Sequence, residues 1–158
     1  MPQAQSTRRY LETLHIRTQK AAGDQNALLV LIGFQELSSV PGVDWNIKDK
    51  DGDSPMTWAV KTGCEDVLRI LLTIPSINYN VRDESDRNLA QIAVESDKES
   101  SLQCLELLCQ DSRVNWNIRN SYGDTPIMHV WKYRKSMLNI LMKVKNIDYQ
   151  MILDNFIC

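Results

Sequence analysis

The stretch GVDWNIKDKDGDSP, Gly42 to Pro55, has an echo in RVNWNIRNSYGDTP, Arg113 to Pro126. Val43 and Val114, Trp45 and Trp116, Gly52 and Gly123, and Pro55 and Pro126 all stand 71 residues apart. A worn third copy, INYNVRDESDRNLAQIAV, Ile77 to Val94, lies between them. The aromatics Trp45, Tyr79, Trp116 and Tyr149 recur at steps of 34, 37 and 33, each followed by an amide at Asn46, Asn80, Asn117 and Gln150. A beat of this length marks supersecondary units stacked side by side, so the echo spans two periods.

Within one unit the local signals agree. Asp51-Gly52 and Tyr122-Gly123 are turn dipeptides in which glycine supplies a positive φ. Ser54-Pro55 and Thr125-Pro126 follow, a hydroxyl to cap the free amides of a helix start and a proline with no amide to waste. The pattern predicts a helix over Met56 to Thr62, stopped by Gly63. A second, antiparallel helix follows over Glu65 to Leu72, acidic in its first turn, apolar on one face and ended by Pro75. The middle unit has Asp86 where the others have glycine, and aspartate tolerates the left-handed region better than most residues. It also has Asn88-Leu89 in place of the capped proline. Its extra length falls in Ser96 to Ser100, which is expected to protrude between the helices.

The flanks differ. Residues 5–40 read as two helices, Thr7 to Ala22 and Asn26 to Ser38, without the turn signature, as in a capping unit with a polar outer face. The tail, 147–158, opens a fourth unit. It is either a C-terminal cap or the start of further repeats in a longer chain. The divisions expected are therefore an N-terminal helical pair over 1–42 and three repeats within 43–150 (43–76, 77–113 and 114–146), followed by that tail.

Composition narrows the functional classes. The chain has 158 residues, 43% of them hydrophobic, and a formal charge of −2. That is enough apolar content for a core, and it offers no electrostatic case for binding nucleic acid or an anionic membrane. Apolar runs such as Ala27 to Gly33 are too short to span a bilayer, and the N-terminus lacks the apolar stretch of a secretory signal. Cytosol or nucleus is the expected compartment. The cysteines, at 64, 104, 109 and 158, form no C-x-x-C pair, and the two histidines, His15 and His129, do not cluster. Reduced thiols, no metal and no cofactor are the expectation.

The motif D-x-x-G-D-[ST]-P-[MI] at Asp49 to Met56 returns at Tyr122-Gly123-Asp124-Thr125-Pro126-Ile127. Together with Ile70-Leu71-Leu72 and Val43-Asp44-Trp45-Asn46, it resembles the ankyrin-repeat family, over 43–150 by motif and over 5–42 by helix pairing alone. The resemblance implies an all-α solenoid of stacked helix–turn–helix units. Each repeat is L-shaped, with a β-turn finger at right angles to its helices, and an N-terminal helical cap closes one end. The histidine usual in such repeats is replaced by Thr57, Gln91 and Met128, so its hydrogen bonds to the neighbouring turn are either replaced or missing. Trp45 and Trp116 stand where valine is customary. They are expected to pack as an aromatic ladder, the competing reading being exposed binding anchors. Asn46, Asn80 and Asn117 resemble substrates of asparaginyl hydroxylation. Asn46 and Asn80 each match that pattern by half, and hydrogen bonding in the turn region is the favoured reason for the amide.

The resemblance also implies a concave side, built from turns and first helices, whose residues are free to meet a protein partner. In the first unit these are Lys48, Lys50, Asp51, Asp53, Lys61 and Thr62. In the second they are Arg82, Glu84, Ser85, Arg87, Glu95 and Ser96. In the third they are Arg119, Ser121, Tyr122, Asp124, Lys132 and Tyr133. Tyrosine and arginine anchor interfaces, so Trp131-Lys132-Tyr133-Arg134 is the expected hot spot; the competing reading is a solvated surface with no partner. The role implied is a monomeric, non-catalytic interaction module, an adaptor, scaffold or inhibitor. The alternative is a regulatory part of a larger protein whose activity lies elsewhere. Catalysis is not expected, because the repeat register does not bring His129 to Cys104 or Cys109 and no phosphate-cradling glycine loop is present.

Overall fold

A computed structural model describes residues 43–49, 51–97 and 100–150, together with Gly33, Gln35, Glu36, Ser39 and Leu153. The two helices expected over Thr7 to Ala22 and Asn26 to Ser38, and most of the tail, lie outside the described residues. Inside them the order is α1 (Pro55–Thr62), α2 (Glu65–Leu72), α3 (Leu89–Glu95), α4 (Ser100–Gln110) and α5 (Pro126–Tyr133). A 3-10 turn, Lys135–Met137, then runs into α6 (Leu138–Leu141). Extended pairing among the described residues is limited to one isolated antiparallel bridge, Arg82 with Asn88.

Each inner helix starts for a reason written at its cap. Ser54 Oγ accepts the Thr57 amide at 3.2 Å, and Pro55 occupies the first helical turn. Asn88 and Gln91 form a reciprocal capping box, with the Gln91 amide donating to Asn88 Oδ1 at 2.8 Å and the Asn88 amide to Gln91 Oε1 at 2.9 Å. Thr125 accepts the Met128 amide at 3.4 Å. Thus Asn88-Leu89 does the work of the proline-capped starts on either side of it.

The helix ends explain why the third unit departs from the others. Gly63 leaves α1 at φ +73° and turns the chain straight into α2. The third unit has Arg134 at that place, with φ −141°, because an arginine does not readily adopt the left-handed exit. The second helix of this unit is accordingly reduced to the 3-10 turn and the single turn of α6. Arg134 instead reaches back and donates to the carbonyls of Val94, at 3.2 Å, and Ser96, at the open end of α3. It also pairs with the exposed Asp97 at 3.0 Å, just past the end of α3.

The helices stack in two rows. The inner row runs α1 on α3 on α5, and the outer row α2 on α4 on α6. Between them lies a continuous apolar core through Leu68, Leu71, Leu89, Leu105, Leu108, Ile127 and Leu141. No unit could bury this face alone, so each depends on its neighbours. Trp45 and Trp116 are buried in that core, at 3% and 0% exposure, and fill it rather than face solvent. The Trp116 indole N–H finds no acceptor among the described residues.

Candidate partner-binding face

Three five-residue fingers precede the inner helices, and each is built by one aspartate or asparagine. Asp49 Oδ1 accepts the amides of Asp51 and Asp53, both at 2.9 Å. Asp83 Oδ1 accepts those of Ser85 and Arg87, and Asn120 Oδ1 those of Tyr122 and Asp124, all at 3.0 Å. Three residues further on the backbone turns left-handed, at Gly52 (φ +71°), Asp86 (φ +58°) and Gly123 (φ +81°). The rule is an Asx turn closed by a positive φ. The middle finger keeps it without glycine.

Behind the fingers runs a chain of ion pairs. In every unit the residue before the helix cap pairs with one eight positions later. These are Asp53 with Lys61 at 2.6 Å, Arg87 with Glu95 at 3.2 Å, and Asp124 with Lys132 at 2.6 Å. The middle pair is reversed in sign. That reversal joins the first two units, because Arg87 also holds Asp83 at 2.7 Å and Lys61 approaches Asp83 at 3.4 Å. Burial alone would push the Asp83 carboxyl up. Hydrogen bonds from the Arg87 side chain and amide, with the charges of Arg87 and Lys61, outweigh burial and hold it below the usual carboxylate range.

Polar bridges complete the joints. Asn46 donates to Ser76 O at 3.1 Å and accepts the Asn78 amide at 2.7 Å, while Asn117 donates to Asn146 O and accepts the Asp148 amide, both at 2.8 Å. The Asn80 side chain is exposed and makes no such bridge among the described residues. Of the three residues at the histidine place, only Gln91 reaches the next unit. Its Nε2 donates to Ile118 O at 3.2 Å and Asp124 O at 3.1 Å. Thr57 bonds only within its own cap, to Ser54. Met128 offers sulfur to the Thr125 amide.

The residues expected to meet a partner separate accordingly. Lys50 lies outside the described residues. Asp53 and Asp124 are buried and committed to Lys61 and Lys132. Lys61, Arg87 and Glu95 are half-buried within the same chain of pairs. Lys48 donates to Arg82 O at 2.9 Å, Arg82 pairs with Asp86, and Arg119 donates to Gly123 O at 2.6 Å. Side chains are exposed at Asp51, Glu84, Ser85, Ser121, Tyr122 and Tyr133, and at Lys132 beyond its pair with Asp124. Half-buried Thr62 and Ser96 bond at helix ends, Thr62 to Trp58 O and Ser96 to Ser101. In the expected hot spot, Trp131 is partly exposed beside Lys135, and Arg134 is turned inward onto α3.

Tyr122, at 88% exposure on the third fingertip, and Tyr133, at 69% on α5, are the most open aromatics of the described chain. They line a cavity of about 450 Å3 with Glu95, Asn120, Asp124, His129 and Lys132. The His129 ring lies 5.0 Å from that of Tyr133 and its Nδ1 3.9 Å from Glu95 Oε1. Burial pushes the thiols of Cys104 and Cys109 up to about 12, the reverse of what a nucleophilic thiol requires. Among the described residues no group of His, Cys, Asp and Glu could hold a metal ion, and no helix is long and apolar enough to cross a membrane.

The D-x-x-G motif already places Asp49 three positions before Gly52; Asp83 and Asn120 stand likewise before Asp86 and Gly123, and opposite charges recur eight apart across each cap. Both are visible once the units are aligned. Compared with known families, residues 15–120 match the one described as ankyrin repeats in three copies. No curated protein matches the chain.

Proposed function

The chain belongs to the ankyrin-repeat family, and on that premise we propose that it recruits a protein partner on the face formed by its fingers and inner helices. Ankyrin repeats are in general protein–protein interaction modules; the specific role proposed is that of a non-catalytic adaptor, scaffold or inhibitor. It acts as a monomer in the cytosol or nucleus, with no nucleic acid and no membrane as partner. The reading takes 1–42 as an N-terminal cap, 43–150 as the repeats and 147–158 as a partial repeat or cap.

The observation that carries this reading is the pair Tyr122 and Tyr133. Both rings stand open beside one cavity, and neither belongs to the apolar core. Exposed tyrosines offer apolar area and a hydroxyl at small entropic cost, which suits an interface anchor. Glu84, Ser85 and Ser121 extend the surface along the fingertips. The buried Asp53 and Asp124 serve it by holding the fingers in place.

The test is affinity capture from a native extract with the wild-type chain and with Tyr122→Ala/Tyr133→Ala. A partner lost from the variant, at an unchanged melting temperature, is the expected result. A partner that persists, or is lost only as the chain unfolds, would overturn the reading.

A further inference from the structure

The ion-pair chain behind the fingers is one cation short. Among the described residues its pairs hold the carboxylates of Asp53, Asp83, Glu95 and Asp124 and the cations of Lys61, Arg87 and Lys132. The surplus carboxylate belongs to the joined pairs of the first two units, which end on Glu95 at the cavity between the third finger and α5. There Asp124, its side chain only 10% exposed, gives Oδ1 to Lys132 and makes no bond through Oδ2 among the described residues. Glu95 gives Oε2 to Arg87, and its Oε1 lies 3.9 Å from His129, beyond hydrogen-bond reach. Two carboxylate oxygens of residues that line the open cavity therefore lack a protein donor among the described residues, an arrangement that favours a cation able to supply one.

Resting on the reading of this face as a docking surface, we infer that the cavity receives the guanidinium of an arginine carried by the protein partner. Three features converge on that group. The unmet acceptors call for a cationic donor, and the fork of a guanidinium serves two oxygens where an ammonium supplies a point charge. The open rings of Tyr122 and Tyr133 present π faces on which a planar cation stacks. The added charge balances the odd carboxylate of the chain. An acidic side chain would meet two carboxylates, and an apolar one would leave both oxygens unmet.

A display library of random linear peptides, selected on the full chain, tests this. Binders are placed on the protein by amide chemical-shift changes in the 120–124 finger. The expected result is that peptides mapping there carry an arginine and bind at least about tenfold more weakly when it is replaced by citrulline, its neutral isostere. Tyr122→Ala and Glu95→Gln weaken the same peptides, with the Tm of Tyr122→Ala unchanged. Peptides that map to this finger yet lack arginine, or tolerate citrulline, overturn the inference and leave the docking face standing. If no selected peptide maps there, the docking face falls with it.

Discussion

Lys61, on the inner helix of the first unit, holds its ammonium 2.6 Å from Asp53 in its own finger and 3.4 Å from Asp83 in the next. One side chain thereby ties two fingers together. The acceptor across the joint, Asp83, has a fully buried side chain and takes two amides on one oxygen and the Arg87 fork on the other. Fingers that carry a binding face must keep a fixed spacing, and this ion pair contributes to it.

Because Asp83 is held below the usual carboxylate range, its contribution is fully present above the unfolded value, about 4. It is lost as pH falls through the lower folded value. Asp83→Asn is expected to cost about 2–3 kcal/mol at neutral pH, by leaving Arg87 and Lys61 underpaired. It should also lessen the loss of stability between pH 5 and pH 2. Some acid sensitivity persists, since Asp111, held low first by its hydrogen bond from Arg113, behaves alike. Thermal melts at stepped pH check this, and equal pH slopes in variant and wild type would refute it.

Gln91→Met keeps the volume and removes the donors to Ile118 O and Asp124 O and the acceptor for the Asn88 amide. The expected loss is about 2 kcal/mol, with faster amide hydrogen exchange in the 120–124 finger. Thr57→Val, at the equivalent place, should leave exchange in the second finger unchanged, because Thr57 bonds only to Ser54. An unchanged third finger in Gln91→Met would count against the bridge.

Gly63 and Gly123 both adopt positive φ but differ in their surroundings. A Cβ on Gly123 meets nothing within 4 Å, so Gly123→Ala carries the backbone cost alone, about 1 kcal/mol. A Cβ on Gly63 meets the side chain and carbonyl carbon of Ser100 at the start of α4. Gly63→Ala should therefore be the more destabilising, by a further 1 kcal/mol or about that. Denaturant melts rank the two, and a reversed order would show that Ser100 yields freely.

With thiols raised to about 12, Cys104 and Cys109 carry almost no thiolate at pH 8. Alkylation by iodoacetamide, read by peptide mass spectrometry, should label Cys104 only as fast as the chain opens, and adding denaturant should speed it by orders of magnitude. Rapid labelling of the folded chain would show that α4 does not stay docked.

The repeat was legible because its signals are local. Ser54-Pro55, Thr125-Pro126, Gly52 and Gly123 act on their own backbone, so their meaning survives without coordinates. The same logic located the helix over Glu65–Leu72 and the positive φ at Asp86. The shortened second helix of the third unit was not foreseen. Arg134 occupies the place of Gly63, but its consequence appears only when its guanidinium finds the open carbonyls of α3.

The proposed binding face was less legible still. Repeat position identifies the side of the stack but not which charges remain available there. Asp53 and Asp124 look exposed in a polar turn, yet each is buried and paired with the lysine eight residues on.

By itself, then, the sequence determined the period, the turns, the caps and the family, because each depends on contacts within a few residues. Only the tertiary structure decided that Gln91 replaces the missing histidine bonds, that the tryptophans fill the core, and that Tyr122 and Tyr133 are left open beside under-donated carboxylates. Those outcomes depend on distances between units, such as the 3.4 Å from Lys61 to Asp83, which docking sets and spacing along the chain does not.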